Sequence, residues 1–292
     1  MRKSIAIIIT SILVLSGCNK QQSVSDRLLN EVEKAIAINP DSASNLLKSI
    51  SSPEKLDDKA FARWCMLSGK ITDEIFNSIL PTYQLERAYD WYSSHGSPDE
   101  QVQILIYLGR SYFADGDYDK AMSIYTNALD IAGKNKLNNL IGYTYDYIGD
   151  LYREKFMRTE AIKRYEIAAE YFKKEKNTDS YACALRDIGR EYAQMDSLSH
   201  ALNILIIADS VAANTSNINV TASINNALGN IYSMQNKYDK AEEYLLKALL
   251  TGREKMPDYV ALIDLYTASN SINKAKELLL SLIHISEPTR PY

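Results

Sequence analysis

The run LGRSYFADGDYDKAMSIYTNA, Leu108–Ala128, decides how this chain is read, because its pattern returns three more times. Leu108-Gly109, Ile148-Gly149, Ile188-Gly189 and Leu228-Gly229 each open a copy, 40 residues apart. A Tyr stands three residues after each Gly, at Tyr112, Tyr152, Tyr192 and Tyr232. Nine residues later comes Ala121, Ala161, Ala201 or Ala241. Each copy closes on a bulky residue and a second Ala: Tyr125/Ala128, Tyr165/Ala168, Leu205/Ala208 and Leu245/Ala248.

Within one copy, Leu105, Leu108 and Tyr112 are spaced for one helix face, and Ile124, Tyr125 and Ala128 for another. Asp115-Gly116-Asp117 separates them: Gly116 can take positive φ and Asp117 can cap the second helix. The corresponding turns, Glu154–Met157, Met195–Ser197 and Gln235–Lys237, lack a Gly. Gly109 and Ala121 are read as small because two antiparallel helices cross there. The Tyr rings supply bulk for the neighbouring hairpin, since one hairpin cannot bury its own apolar face. That accounts for much of the count of 21 Tyr.

The pattern L-G-x-x-Y, A-x-x-x-bulky, then a further small residue resembles the tetratricopeptide repeat, over roughly Gln101 to Leu279. The resemblance implies an all-α fold, an α-solenoid of antiparallel helix hairpins (a tetratricopeptide superhelix) that binds proteins or peptides. The period exceeds the common 34 residues. The surplus falls between hairpins and resembles long-period variants whose second helix is extended. Leu262, Tyr266, Ala275 and Leu279 suggest a fifth copy at a shorter spacing, with Ile263 in place of Gly. Residues 26–97 read as diverged helical hairpins before the regular array of residues 98–279.

Arg2 and Lys3 precede the apolar run Ile5–Leu15, which is too short to span a bilayer permanently. Leu15-Ser16-Gly17-Cys18 then resembles a bacterial lipobox. The resemblance implies a signal peptide over residues 1–17, an acyl-modified Cys18, a tether over residues 18–25 and attachment to the membrane. Asn19 after the Cys favours the outer membrane of a Gram-negative envelope. Losing Arg2 and Lys3 leaves 31 basic against 37 acidic residues, a net charge of −6. A mildly acidic chain without a basic run argues against a nucleic-acid partner. Leu280–Tyr292, LSLIHISEPTRPY, resembles a translated sequencing adapter and is expected to be non-native.

No catalytic constellation is present. His95, His200 and His284 stand at no metal-ligand spacing, and Cys65 and Cys183 lie alone in different hairpins. A non-enzyme without cofactor or metal is the expectation. By the resemblance, the second, fifth, ninth and twelfth positions of each first helix face a groove. Among them are Arg110 and Phe113, then Tyr143, Asp146, Asp150 and Arg153, then Arg186 and Arg190, then Asn226 and Asn230. Arg186 and Arg190 share a helix face, as do Asn226 and Asn230, and together they could clamp a peptide carboxylate and backbone. Equally, Asp146 and Asp150 could simply pair with the two Arg. The clamp predicts that losing both Arg abolishes partner capture without altering unfolding. The function expected is a lipid-anchored envelope scaffold. The alternatives are the periplasmic sensing part of a truncated membrane regulator and a nutrient (glycan)-binding lipoprotein.

Overall fold

The computed structural model describes residues 25–75, 79–253 and 255–286, with side chains through residue 282. Cys18 and the expected signal peptide lie outside the described residues. The expected tail lies partly within them, because the last helix runs through Ser286. Among the described residues there is no strand, and every long element is a helix. None of those helices is long and apolar enough to cross a membrane.

The chain divides into two compact units, one through Asn135 and one from Lys136. The first holds α1 (residues 25–36), α2 (Pro40–Lys48), α3 (Asp58–Ile75), α4 (Thr82–His95), α5 (Pro98–Ala114) and α6 (Tyr118–Asn135). The second holds α7 (Asn138–Glu154), α8 (Arg158–Lys174), α9 (Thr178–Gln194), α10 (Leu198–Ala212), α11 (Ile218–Met234), α12 (Tyr238–Thr251), α13 (Met256–Ala268) and α14 (Ile272–Ser286). The first regular repeat, α5–α6, therefore shares its unit with the diverged hairpins. Phe61, Leu85 and Tyr92 of those hairpins pack with Ile104 and Leu108 in one core cluster.

Local chemistry sets the helix ends. Ser97 and Glu100 form a reciprocal capping box at the start of α5, ahead of which the chain turns at Gly96. Asn39 caps α2 by accepting from the Ser42 amide at 2.9 Å, with Pro40 as the first helical residue. The turn inside each regular hairpin closes with a long backbone bond onto the carbonyl of the repeated Tyr. Asp117, Met157, Ser197 and Lys237 donate to Tyr112, Tyr152, Tyr192 and Tyr232, each at 2.9 Å. The residue before each of these donors is left-handed: Gly116 (φ 79°), Phe156 (57°), Asp196 (59°) and Asn236 (58°). One geometry thus persists where Gly does not.

The small residues of the repeat admit the bulky ones. A Cβ on Gly109 or Gly149 would run into the ring of Tyr125 or Tyr165, and one on Gly189 or Gly229 would lie 2.8 or 2.6 Å from Leu205 or Leu245 Cγ. Ala121, Ala161, Ala201 and Ala241 are fully buried. The extra length of the 40-residue period is shared by both helices, since α7, α8, α9 and α11 each have 17 residues. It is packed: Phe172 fills the space left by Gly142, where a Cβ would meet its ring at 2.7 Å.

The fifth hairpin, α13–α14, forms as expected, with Leu262 and Tyr266 buried. Leu279, however, is 50% exposed, and Leu278 packs against that core instead. Lys274 of this helix reaches back to Glu242 on α12 at 2.7 Å.

Candidate functional site

Arg110 and Phe113 belong to the first unit. Arg110 forms an ion pair with Asp73 on α3 and lies 5.9 Å from the Tyr107 ring centre. Phe113 packs against Tyr118, ring centres 5.5 Å apart. Both contacts are internal to that unit.

The other eight candidates lie in the second unit, on α7, α9 and α11. The first helices of successive hairpins touch directly here: Arg186 Nη1 donates to Ser223 Oγ at 2.9 Å, and Asn226 Nδ2 donates to Asp258 Oδ1 at 2.7 Å. They form one inner row, α7–α9–α11–α13. At its α7 end the Tyr143 hydroxyl meets Asn177 Nδ2 (3.1 Å) and Ser180 Oγ (2.9 Å), and its ring packs edge-on to Phe172.

The charged centre is wired differently from either sequence-based alternative. Arg186 places a two-point fork on its neighbour Asp187, with Nε to Oδ1 at 3.0 Å and Nη2 to Oδ2 at 2.7 Å. Asp187 is only 5% exposed, so this pair is structural. Asp150 pairs with Arg153 at 2.8 Å and accepts from the Tyr165 hydroxyl at 2.8 Å. Asp146 and Asp150 are thus not the partners of the two Arg. Asp146 Oδ1 is sealed from solvent with no hydrogen-bond partner in the structure. Arg190 keeps 43% of its side chain exposed and reaches Asp187 Oδ1 at 3.6 Å.

Burial pushes the Asp146 carboxyl well above the usual carboxylate range, and the nearby Asp150 and Asp187 add to the rise. Asp150 is raised for the same first reason, with Arg153 opposing. Burial works against the Asp187 carboxylate too, but the Arg186 guanidinium overrides it and holds the group below its ordinary value. Cys183 faces the same cluster, with Arg186 Nη1 3.7 Å from its Sγ, and burial raises its thiol. Cys65, in the first unit, is buried and its thiol is pushed up to about 12, as befits an inert core residue.

Two buried acids that shape the site escaped the sequence reading, Asp187 and Glu191. Glu191 is buried and pairs with Arg158 on α8 at 3.0 Å. A signal was there. In the other copies the same columns carry Tyr107, Tyr147 and Ala227, and Ser111, Leu151 and Ile231. An acid in a column that elsewhere carries only uncharged residues marks an internal ion pair.

Toward α13 the row becomes uncharged at α11 and then sets exposed Met256 and Val260 beside Asp264. Asn226 is buried between Asp258 and Asn230, whose Nδ2 donates to Asn226 Oδ1 at 3.0 Å. This relay fixes the Asn230 amide, with its oxygen and second N–H available to a ligand. Beside it an open-sided hollow of about 450 Å³ is lined by Asn230, Met256, Pro257, Val260, Ala261 and Asp264. No group of acidic, His or Cys side chains among the described residues is arranged to hold a metal ion.

These features define an α-solenoid of antiparallel helix hairpins whose first helices present a polar inner row. Tetratricopeptide-repeat family models match residues 105–138 and 221–256, so such repeats are found in both units. Photosystem I assembly protein Ycf3 of Rippkaea orientalis is 32% identical over 91 residues, covering 30% of this chain and 52% of that protein. The chain thus spans about half the length of the curated relative it matches. Among solved structures, a Rap protein complexed with Competence and Sporulation Factor aligns at TM-score 0.73 and 19% identity, over 90% of this chain and 76% of that one. The apo quorum sensor NprR of B. thuringiensis aligns at 0.56 and 15%, over 89% and 75%. PilF of Pseudomonas aeruginosa aligns at 0.52 and 14%, over 79% and 94%. At these identities the structural likenesses show the fold.

Proposed function

We propose that this chain is a non-enzymatic binding protein, held to the cell envelope through an acylated Cys18, that captures protein or peptide partners on the inner row of its second unit. The observation that carries the reading is the pair Arg190 and Asn230, at corresponding positions of α9 and α11. One offers a half-exposed cationic fork and the other a fixed amide, on adjacent helices beside an open hollow. Such groups bind an extended backbone and its carboxylates well. The repeats found at both ends of the regular array, and the assembly role named for the Ycf3 relative, support a partner-binding scaffold. The lipobox-like LSGC run supports the anchor, and Asn19 supports the outer membrane.

A photo-crosslinking residue at position 230 tests the groove, with the exposed Glu166 position on α8 as control. Adducts at 230 and not at 166 are expected; equal labelling at both would defeat the groove reading. Fatty-acid labelling tests the anchor: label should enter the wild-type chain and not Cys18→Ser, and an unlabelled wild-type chain in the soluble fraction would end that part of the proposal.

A further inference from the structure

The inner row has a chemical direction. Beyond Asp150 on α7, which is taken up by Arg153, its ninth positions run Arg190 on α9, Asn230 on α11 and Asp264 on α13: cation, neutral amide, exposed anion. Arg186, one turn from Arg190, is committed to Asp187, and Asp258 is buried against Asn226, so neither charge is presented outward in the same way. Helix α11 carries no charged residue at all. On α13 itself, two turns and one turn before Asp264, Met256 and Val260 leave 55% and 50% of their surface in water on the wall of the hollow. The columns of Met256 and Val260 hold Gly142 and Asp146 on α7, Ala182 and Arg186 on α9, and Ala222 and Asn226 on α11, none of them an exposed apolar pair.

We infer that this face recognises an extended peptide with an acidic side chain at Arg190, a basic one at Asp264, and apolar side chains beside the basic one, seated on Val260 and Met256. The register follows from geometry. Adjacent packed helices lie about 8–10 Å apart, so two steps from α9 to α13 span about 16–20 Å. An extended chain rises about 3.3 Å per residue, which puts the acid and the base about five to six residues apart. The Asn230 amide, held by Asn226, meets the backbone midway. Charge complementarity fixes which end is which, and the hollow, lying toward α13, places the apolar residues next to the base. An open-sided hollow of this size suits one or two side chains of a longer ligand better than an enclosed small molecule.

The inference rests on the groove reading above, and its test separates the two. The probes are fluorescent 12-residue peptides with an acid and a base six residues apart and Leu-Met beside the base, made in both backbone directions. Binding to the full-length chain in detergent is read by anisotropy. One backbone direction should bind, and exchanging its acid with its base should weaken it about tenfold. Replacing Leu-Met by Ser-Ser should weaken it similarly. The double variant Arg190→Glu, Asp264→Lys should invert the charge preference, while Arg190→Gln, Asp264→Asn should flatten it. Binding that ignores peptide charge order and is unchanged in both double variants overturns this inference and leaves the groove reading intact. Failure of every peptide to bind, in either direction, overturns both.

Discussion

Arg186 and Asp187, adjacent in the chain, are locked together by two hydrogen bonds of 3.0 and 2.7 Å, and the carboxylate so held is buried. Residues one apart on a helix do not normally face each other. Here the long guanidinium folds back along α9 and also reaches Ser223 on α11. It joins two helices of the inner row and is not spare for a ligand.

Removing that guanidinium strands a buried carboxylate. Arg186→Ala should therefore destabilise the second unit by about 3–5 kcal/mol, as breaking a buried pair from one side does. Arg190→Ala, at a half-exposed side chain 3.6 Å from the acid, should cost no more than about 1 kcal/mol. Urea unfolding of the two single variants checks the contrast. The double Arg variant is thus a poor test of partner capture, because it unfolds the site it means to probe.

Two glycines make a paired test of packing. Gly149→Ala would drive a methyl into the buried Tyr165 ring and should cost about 1–3 kcal/mol. Ala161→Leu, on the facing helix, belongs to the same range. Gly133 in α6 has open space around its Cβ position, so Gly133→Ala should stabilise by about 0.5–1 kcal/mol. Thermal melts that rank these variants otherwise would contradict the close helix crossing.

Phe156 holds φ at 57° while 79% exposed, in a turn whose counterparts are Gly116, Asp196 and Asn236. A bulky side chain in the left-handed region is strained, and little burial offsets it. Phe156→Gly should raise stability by about 0.5–1 kcal/mol, and calorimetry would show whether the melting temperature rises.

Asp146 gives the chain a signed pH dependence. Its folded carboxyl titrates well above the ordinary value near 3.8, so the folded state binds the proton more tightly than the unfolded one. Its contribution is fully present below that ordinary value and is lost as pH rises toward the folded one. Asp150 acts in the same direction, and Asp187, held low by Arg186, in the opposite one. Asp146→Asn should therefore melt higher than wild type at neutral pH, with the gap closing toward pH 4. Parallel melting curves across that range would refute the assignment.

The repeat made the fold legible. Gly109, Tyr112, Ala121 and Tyr125 recur because each hairpin must solve the same packing problem, and small-against-large matching is a local, additive demand. The chain therefore determined by itself the helices of the repeats, their turns and their crossing points. Even the turns without Gly were placed correctly, since the backbone bond to the repeated Tyr carbonyl does not depend on side-chain type.

Only the tertiary structure decided which charges pair. Arg186 had two acids on the preceding hairpin at suitable positions, yet it took Asp187, while Asp150 took Arg153. It also decided that Leu278, not Leu279, packs in the last hairpin, and that Met256 and Val260 stay exposed beside Asn230. Periodicity fixes the direction in which a side chain leaves its helix. Which partner it reaches depends on side-chain length, burial and competition among several charges, and those exist only once the helices are packed together.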